Sequence, residues 1–370
     1  MELDDIREKI DEIDSELLPL FIRRMECAEK VAEIKAEKGI PVLNEERERE
    51  ILDCVSEKAG KYAGEARTLF SGIMSMSRDI QHKLTGGGGA LRDTIKGAAT
   101  FAPEVKTAAC LGQKGSFSHE ALNRLYPKAK AEFFSCFGDI FEAVESGKAD
   151  FGVLPVENSS AGSVGEVYDL ILKYRFYIFS ALSLPVRDCL ASCEKNAGDI
   201  KTVYSHPQAL KQCSEFLAKH GFVSRPYPST AQAACMASKT PGVAAVCSKH
   251  AADEYGLNIL ASDIQNSDGN RTRFITIGRS LFISPNANKI SLCFSLPHRT
   301  GTLYAVLERF ARAGLNLTKM ESRPIPDKNF EYDFYLDFTG NVKNPATLDL
   351  ICALYDELPR FSFLGNYTEI

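Results

Sequence analysis

Thr85–Gly97 reads TGGGGALRDTIKG, and the character of the chain changes across it. Four consecutive glycines have no side chains with which to hold a helix or a strand, so the stretch reads as a break between domains. Before it the pattern is helical. In residues 1–38 apolar residues fall at 3, 6, 10, 13, 17, 20 and 21, a spacing of three and four that predicts one long amphipathic helix. After it, short β-branched runs alternate with helical ones, the sign of an α/β sheet. A weaker break, ISPNAN at Ile283–Asn288, precedes a final segment. The chain therefore reads as multidomain: an all-α unit at 1–85, a glycine-rich linker at 86–104, an α/β unit at 105–280 and an α+β unit at 288–370.

Composition narrows the classes. A chain of 370 residues, 44% hydrophobic and 25% charged, can bury two or three cores. A net charge of −5 gives no basic footprint for nucleic acid or for an anionic membrane. No apolar run reaches membrane-spanning length, and MELDDIREKI at the start is neither a secretory signal nor a transit peptide, so a cytoplasmic location is expected. The eleven cysteines are scattered without a C-x-x-C pair, and the six histidines do not cluster near them. Reduced thiols, with no metal and no cofactor, are the expectation.

Within the helical unit, Pro19 is expected to kink the long helix, at a cost of ~3 kcal/mol in an isolated one. GIPVLNEEREREIL then gives a turn at Pro41, with Asn44 capping a second helix and Glu45 and Glu46 in its first turn. A third helix runs through LFSGIMSMSRDIQHKL. Arg24 and Lys35 lie about three turns apart and share a face with Ala28 and Val31, an enclosed setting for two cations. Ser77 and Gln81 share a face with Phe70 and Met74. Arg7 is roughly 25 Å from Arg24 along an ideal helix, so one small ligand reaches both only if Arg7 comes from another subunit. The competing reading is a solvated charged surface.

IREKIDEID, the RR at 23–24, the IK ending at Lys35, PVLNEERE and SRDIQ together resemble the all-helical chorismate mutases. The resemblance implies an intertwined dimer. Arg24 and Arg7 would hold the two carboxylates of chorismate, with Lys35 and Gln81 at its ether oxygen. Arg47, Glu48 and Ser77 would complete the pocket, and Asn44 stands where the family more often has Asp.

In the α/β unit four stretches follow short apolar runs and set hydroxyls and small residues before helices: LGQKGSFSHEA (111–121), LPVENSSAGSV (154–164), YSHPQAL (204–210) and YPSTAQAA (227–234). Helix N-termini offer unpaired N–H groups that bind carboxylates, and strand ends converge on a crevice in α/β folds. Plain helix capping explains any one of them. DGNRTRFITIG at 268–278 adds a Thr-Arg pair at the start of an otherwise apolar strand. GSFSHEA, PVENSSAG, SHPQAL and TRF, in that order, resemble prephenate dehydratases. That implies two α/β lobes around a cleft, similar to periplasmic binding proteins, with Thr272 as the catalytic threonine. Ser205, His206, Glu157, Asn158 and Ser159 are candidates for the donor network behind it, and Ser116 for substrate contact. Arg273 either pairs a substrate carboxylate or points away by strand alternation.

The last segment reads βαββαβ, the ferredoxin-like pattern. HRTGTLYAVLERFARAGLNLTKMESRP resembles a phenylalanine-binding ACT domain, which implies effector contacts at Gly301, Leu303, Glu321, Ser322 and Arg323, the last three in a turn. Without the resemblance the segment is a small dimerisation domain. Together the resemblances imply a bifunctional homo-oligomer, dimer or tetramer, that takes chorismate through prephenate to phenylpyruvate under control by L-phenylalanine. The alternative is a non-catalytic amino-acid or keto-acid sensor on the same folds.

Overall fold

A computed structural model describes residues 3–100, 104–325, 328 and 331–370. The chain forms two compact units, each assembled from two segments. One is the chain up to Gly97 with Ile290–Phe363; the other is Ala98–Lys289 with Leu364–Ile370. No helix among the described residues is long and apolar enough to cross a membrane.

The first unit opens with α1 (Leu3–Lys38), a single helix that continues through Pro19. A helix of this length carries many other backbone hydrogen bonds, and its C-terminal half packs Ala28 and Ala32 inward. Asn44 caps α2 (Glu45–Ala59), its side chain accepting the Arg47 N–H at 3.0 Å. α3 (Ala63–Thr85) packs on both helices and ends at Gly86 in the left-handed region. The glycine run is more than a linker, which corrects the sequence expectation: Gly89 opens a further helix, α4 (Gly89–Lys96), with Leu91 and Ile95 buried.

The second unit has two lobes. β1 (Thr107–Leu111), α5 (Phe117–Leu125), β2 (Lys130–Phe134), α6 (Phe137–Glu145), β3 (Phe151–Asn158), β4 (Gly162–Ser163), α7 (Gly165–Tyr174) and β5 (Tyr177–Pro185) build the first. The chain then crosses to the second lobe: β6 (Cys189–Ser192), β7 (Thr202–Ser205), α8 (Pro207–Gln212), α9 (Ser214–Lys219), β8 (Val223–Pro226), α10 (Thr230–Ala237), β9 (Val243–Cys247), α11 (Lys249–Glu254) and β10 (Asn258–Ala261). It returns through β11 (Arg271–Gly278), which is inserted antiparallel between β5 and β3. The sheet orders are β5-β11-β3-β1-β2 and β10-β6-β9-β7-β8. Apolar strands such as VAAVC and FGVLP lie between helices on both faces and are buried nearly throughout.

The C-terminal elements are β12 (Lys289–Ser295), α12 (Thr302–Arg312), β13 (Leu317–Pro324), β14 (Tyr332–Thr339), α13 (Pro345–Glu357) and β15 (Ser362–Glu369), the expected βαββαβ order. In the first unit α12 and α13 pack on α3, and α13 also packs on α4. Gly88 shows why glycine is needed there. Its φ is 71°, and an added Cβ would sit 2.7 Å from the Cys352 Cα. The modules also share a buried ionic network. Glu357 meets Arg309 at 2.9 Å, Arg78 at 3.2 Å and His82 at 2.9 Å, while Asp79 pairs with Arg309 and Arg312. Burial works against the Glu357 carboxylate, but the His82 hydrogen bond and the two guanidiniums hold it down at about 2.

From β15, Leu364–Ile370 belong to the second unit, where Thr368 and Glu369 pair in parallel with Ser180 and Ala181 of β5. None of the eleven cysteines is in a disulfide.

Candidate active sites

The three N-terminal helices enclose a pocket of ≈ 330 Å³. Arg24, Lys35, Asn44, Arg47, Glu48, Ser77 and Gln81, all expected from sequence, line it, and Cys27, Val31, Ile51 and Met74 supply apolar wall. Arg24 donates to Ser77 Oγ at 2.7 Å, which fixes the guanidinium against α3. Lys35 Nζ donates to Val42 O at 2.5 Å, tying α1 to the turn before α2. Burial lowers the pKa of both cations, and the Glu48 carboxylate works in the opposite direction. Gln81 is buried and donates to Ser77 O at 3.2 Å. Arg47 lines the pocket but turns its guanidinium outward to Glu50.

Sequence reasoning missed Arg78. It lines the same pocket, pairs with Glu48, and reaches Glu357 of α13 on its other side. Its place in SRDIQ, one residue after Ser77, was the available signal. Arg7 is exposed, pairs with Asp4 and lies outside the pocket, as the helix geometry required for a single chain. Around it Leu3, Ile6, Ile10, Ile13, Leu17 and Leu20 form an apolar stripe, each at least 42% exposed.

The second site lies between the lobes of the second unit, a cavity of ≈ 290 Å³ containing Thr272, Asn158 and His206. Thr272 stands opposite Asn158 in the β11–β3 register, so the two side chains share a face. The Asn158 amide is clamped. Its Oδ1 accepts the N–H groups of Ser160 and Ala161 at 3.0 and 2.9 Å, and its Nδ2 donates to Asn270 Oδ1 and Thr272 Oγ1, both at 2.9 Å. With one lone pair occupied by that amide, the Thr272 hydroxyl is free to donate its own proton into the cleft.

Several expected residues fall elsewhere. Arg273, next along β11, points to the opposite face and binds Glu369 at 2.7 Å and Tyr367 Oη at 2.6 Å; it does not line the cleft. Glu157 is its register partner and shares that face. Ser205 is fully buried and donates to Val246 O at 2.6 Å, satisfying a strand carbonyl. Ser116 caps α5, accepting the His119 N–H. Ser159 is stitched to the β11 approach, donating to Gly269 O and accepting the Arg271 N–H. The 154–164 stretch is not a direct strand-to-helix turn, because β4 intervenes and Val164 precedes α7.

In their places stand Phe117, Gln208, Ser229, Thr230 and Asn270, which lie in the quoted stretches but were not named individually, with Asp188 and Gln212, which lie outside them. Ser229 caps α10 and Thr230 opens it, so that helix start faces the cleft. An adjoining pocket of ≈ 410 Å³ adds Lys211. Elsewhere between the lobes, His119 Nδ1 and His250 Nε2 lie 3.0 Å apart, and Glu254 pairs with Lys114. Together with the Gln113–Tyr255 hydrogen bond these groups tie the β1–α5 region to α11.

In the C-terminal module Gly301 (φ 85°) precedes α12, and Leu303 is half-buried on it. Glu321, Ser322 and Arg323 are not in a turn as expected; they lie inside β13, opposite Tyr335, Phe334 and Asp333 of β14. Thr302 donates its hydroxyl within its own loop, to Arg299 O at 3.0 Å.

The chorismate mutase type II family model matches residues 6–82, and the prephenate dehydratase family model matches residues 108–281. A bifunctional chorismate mutase/prephenate dehydratase from Aquifex aeolicus is 32% identical over 370 residues, covering 99% of this chain and 98% of the relative. The Escherichia coli K12 enzyme of the same description is 32% identical, over 98% of this chain and 95% of its own. Among solved structures, prephenate dehydratase from Arthrobacter aurescens in complex with L-Phe is 30% identical with a TM-score of 0.64, covering 71% of this chain and 89% of that one. Near-complete coverage in both directions, with each family model falling on its own candidate site, means that this chain belongs to the bifunctional chorismate mutase/prephenate dehydratases.

Proposed function

We propose that this bifunctional enzyme of phenylalanine biosynthesis divides its two reactions between its two sites. Chorismate rearranges in the helical pocket, and prephenate loses carbon dioxide and water in the inter-lobe cleft. The observation that carries the division is the Asn158 amide on Thr272 Oγ1, which leaves one oriented hydroxyl proton facing the cleft.

The rearrangement needs no nucleophile and no proton transfer. The pocket has to hold the compact conformer and stabilise negative charge growing on the oxygen of the breaking C–O bond. Arg24 with the partner's counterpart of Arg7 grips the carboxylates, and Lys35 and Gln81 face the ether oxygen. The uncovered apolar stripe around Arg7 supports a homodimer that completes each pocket in this way.

In the cleft the driving force is the aromatic ring. Thr272 hydrogen-bonds the departing oxygen, while N–H groups at the start of α10 and the amides of Gln208 and Gln212 receive the carboxylates. The C-terminal module, on its βαββαβ order and its likeness to ACT domains, is the L-phenylalanine sensor. The L-Phe complex of the Arthrobacter relative supports the choice of effector.

Thr272→Ala is expected to lower kcat for prephenate about 10²-fold or more while chorismate rearrangement is unchanged. Equal loss of both activities in folded protein would contradict the division.

A further inference from the structure

The crossover from β5 to β6 is three residues long, Val186 to Asp188, and its last residue, Asp188, lines the cleft. Asp188 is 2% exposed. Its backbone is fastened on both sides: its N–H donates to Gln265 Oε1 at 3.1 Å, and its carbonyl accepts the Ile264 N–H at 3.0 Å. Val186 N–H donates to Asn270 O at 2.9 Å, binding this crossover to the returning one. The carboxyl itself is nearly without partners. Among the described residues Oδ1 has no hydrogen bond, and Oδ2 has only the weakly donating Cys213 Sγ at 3.9 Å.

Among the described residues no lysine or arginine lines the cavity that holds Asp188 and Thr272, and Lys211 lines only the pocket beside it. An ionised Asp188 would therefore lie buried and unpaired, and would repel a substrate carrying two carboxylates. A protonated Asp188 has no such conflict and has a proton to give. Thr272 can hydrogen-bond the leaving oxygen, but an aliphatic hydroxyl is too weak an acid to surrender its proton outright.

We infer that Asp188, as the neutral carboxylic acid, is the proton donor that turns the departing C4 hydroxyl of prephenate into water. The bond from the ring to the C1 carboxylate breaks, and its electron pair enters the ring. The C4–O bond breaks as the oxygen takes the Asp188 proton. Phenylpyruvate, carbon dioxide and water leave, and the Asp188 carboxylate regains a proton from solvent. Burial pushes this carboxyl up to about 6, against the weak pull of the Cys213 contact. The titratable groups around it are the thiols of Cys213 and Cys247, with His206 also lining the cavity. A bound dianion raises it further.

This inference rests on the dehydratase reaction taking place in this cleft, and the test separates the two. In the full-length enzyme, Asp188→Asn should cut kcat for prephenate at least about 100-fold with KM changed only a few-fold, the scale of a lost general acid. Wild-type kcat/KM should fall as pH rises through about 6, and this limb should be absent from the residual activity of the variant. The mutase rate should be unchanged. Activity within about five-fold of wild type, or a variant that keeps the limb, overturns the role of Asp188. If Thr272→Ala is also harmless, the cleft itself is wrongly assigned. Should Asp188→Asn fail to fold, a wild-type kcat/KM profile without that limb overturns the inference alone.

Discussion

The helical pocket and the inter-lobe cleft meet the same chemical family, small dicarboxylates, with opposite furniture. Arg24, Lys35, Arg47 and Arg78 line the first, while among the described residues neither lysine nor arginine lines the second and Lys211 lines only the pocket beside it. The difference follows the reactions. A pericyclic rearrangement shifts charge within one molecule and gains from cations already fixed in place. An elimination has to move a proton and let three products go, so hydroxyls, amides and a titratable acid serve better than a permanent positive field. The pocket sits among three helices, whereas the cleft draws on strand ends, helix starts and the connections between two lobes that are joined by two crossovers.

The sharpest break in that contrast is Lys35→Ala, which should lower chorismate turnover by about 10²–10³-fold and leave prephenate turnover intact. Steady-state assays with each substrate read it. Mixing Lys35→Ala with Arg7→Ala protein under subunit exchange should restore roughly a quarter of the wild-type rate, because one site of each hybrid dimer has both groups intact. No recovery would put Arg7 outside the partner's pocket.

A smaller effect tests the ionic network behind the pocket. Glu357 is depressed from 4.5 to about 2, so its contribution is present above pH 4.5 and is lost as pH falls toward 2. Glu357→Ala should destabilise the first unit by about 3 kcal/mol at neutral pH, measured by chemical denaturation, and flatten the acid limb of its stability. An unchanged midpoint would mean that the network contributes nothing. Smallest of all, Gly301→Ala puts a side chain at φ 85° in open space, a strain of about 1 kcal/mol. It should weaken inhibition of the dehydratase by L-phenylalanine several-fold while both uninhibited activities persist. Unaltered inhibition would move the effector site elsewhere.

Much of the fold was legible because its signals are periodic. The three-and-four spacing of α1, the Asn44 cap and the βαββαβ order all follow from local pattern. The glycine run misled because composition cannot reveal a neighbour; Gly88 is set by the Cys352 backbone against it. Within the sites, legibility tracked geometry that sequence leaves open. Thr272 and Arg273 look like one motif, yet strand alternation sends them to opposite faces. Ser205 looks like a cleft hydroxyl, but a strand carbonyl claims it. Asp188 reads as an ordinary connector residue in PVRDC, and only the three-dimensional crossing of the lobes makes it a buried acid.

The strand that closes the first lobe has a consequence for how the protein is made. Ser180 and Ala181 of β5 emerge from the ribosome long before Thr368 and Glu369, their partners at that edge. Until residues 364–370 arrive, the dehydratase lobe presents an unpaired, largely apolar strand edge, the kind of surface on which nascent chains associate wrongly. Premature termination anywhere in the C-terminal segment therefore yields more than a shortened enzyme. It leaves Arg273 without Glu369 and Tyr367 and β5 without its neighbour, and such products become substrates for chaperones and proteases.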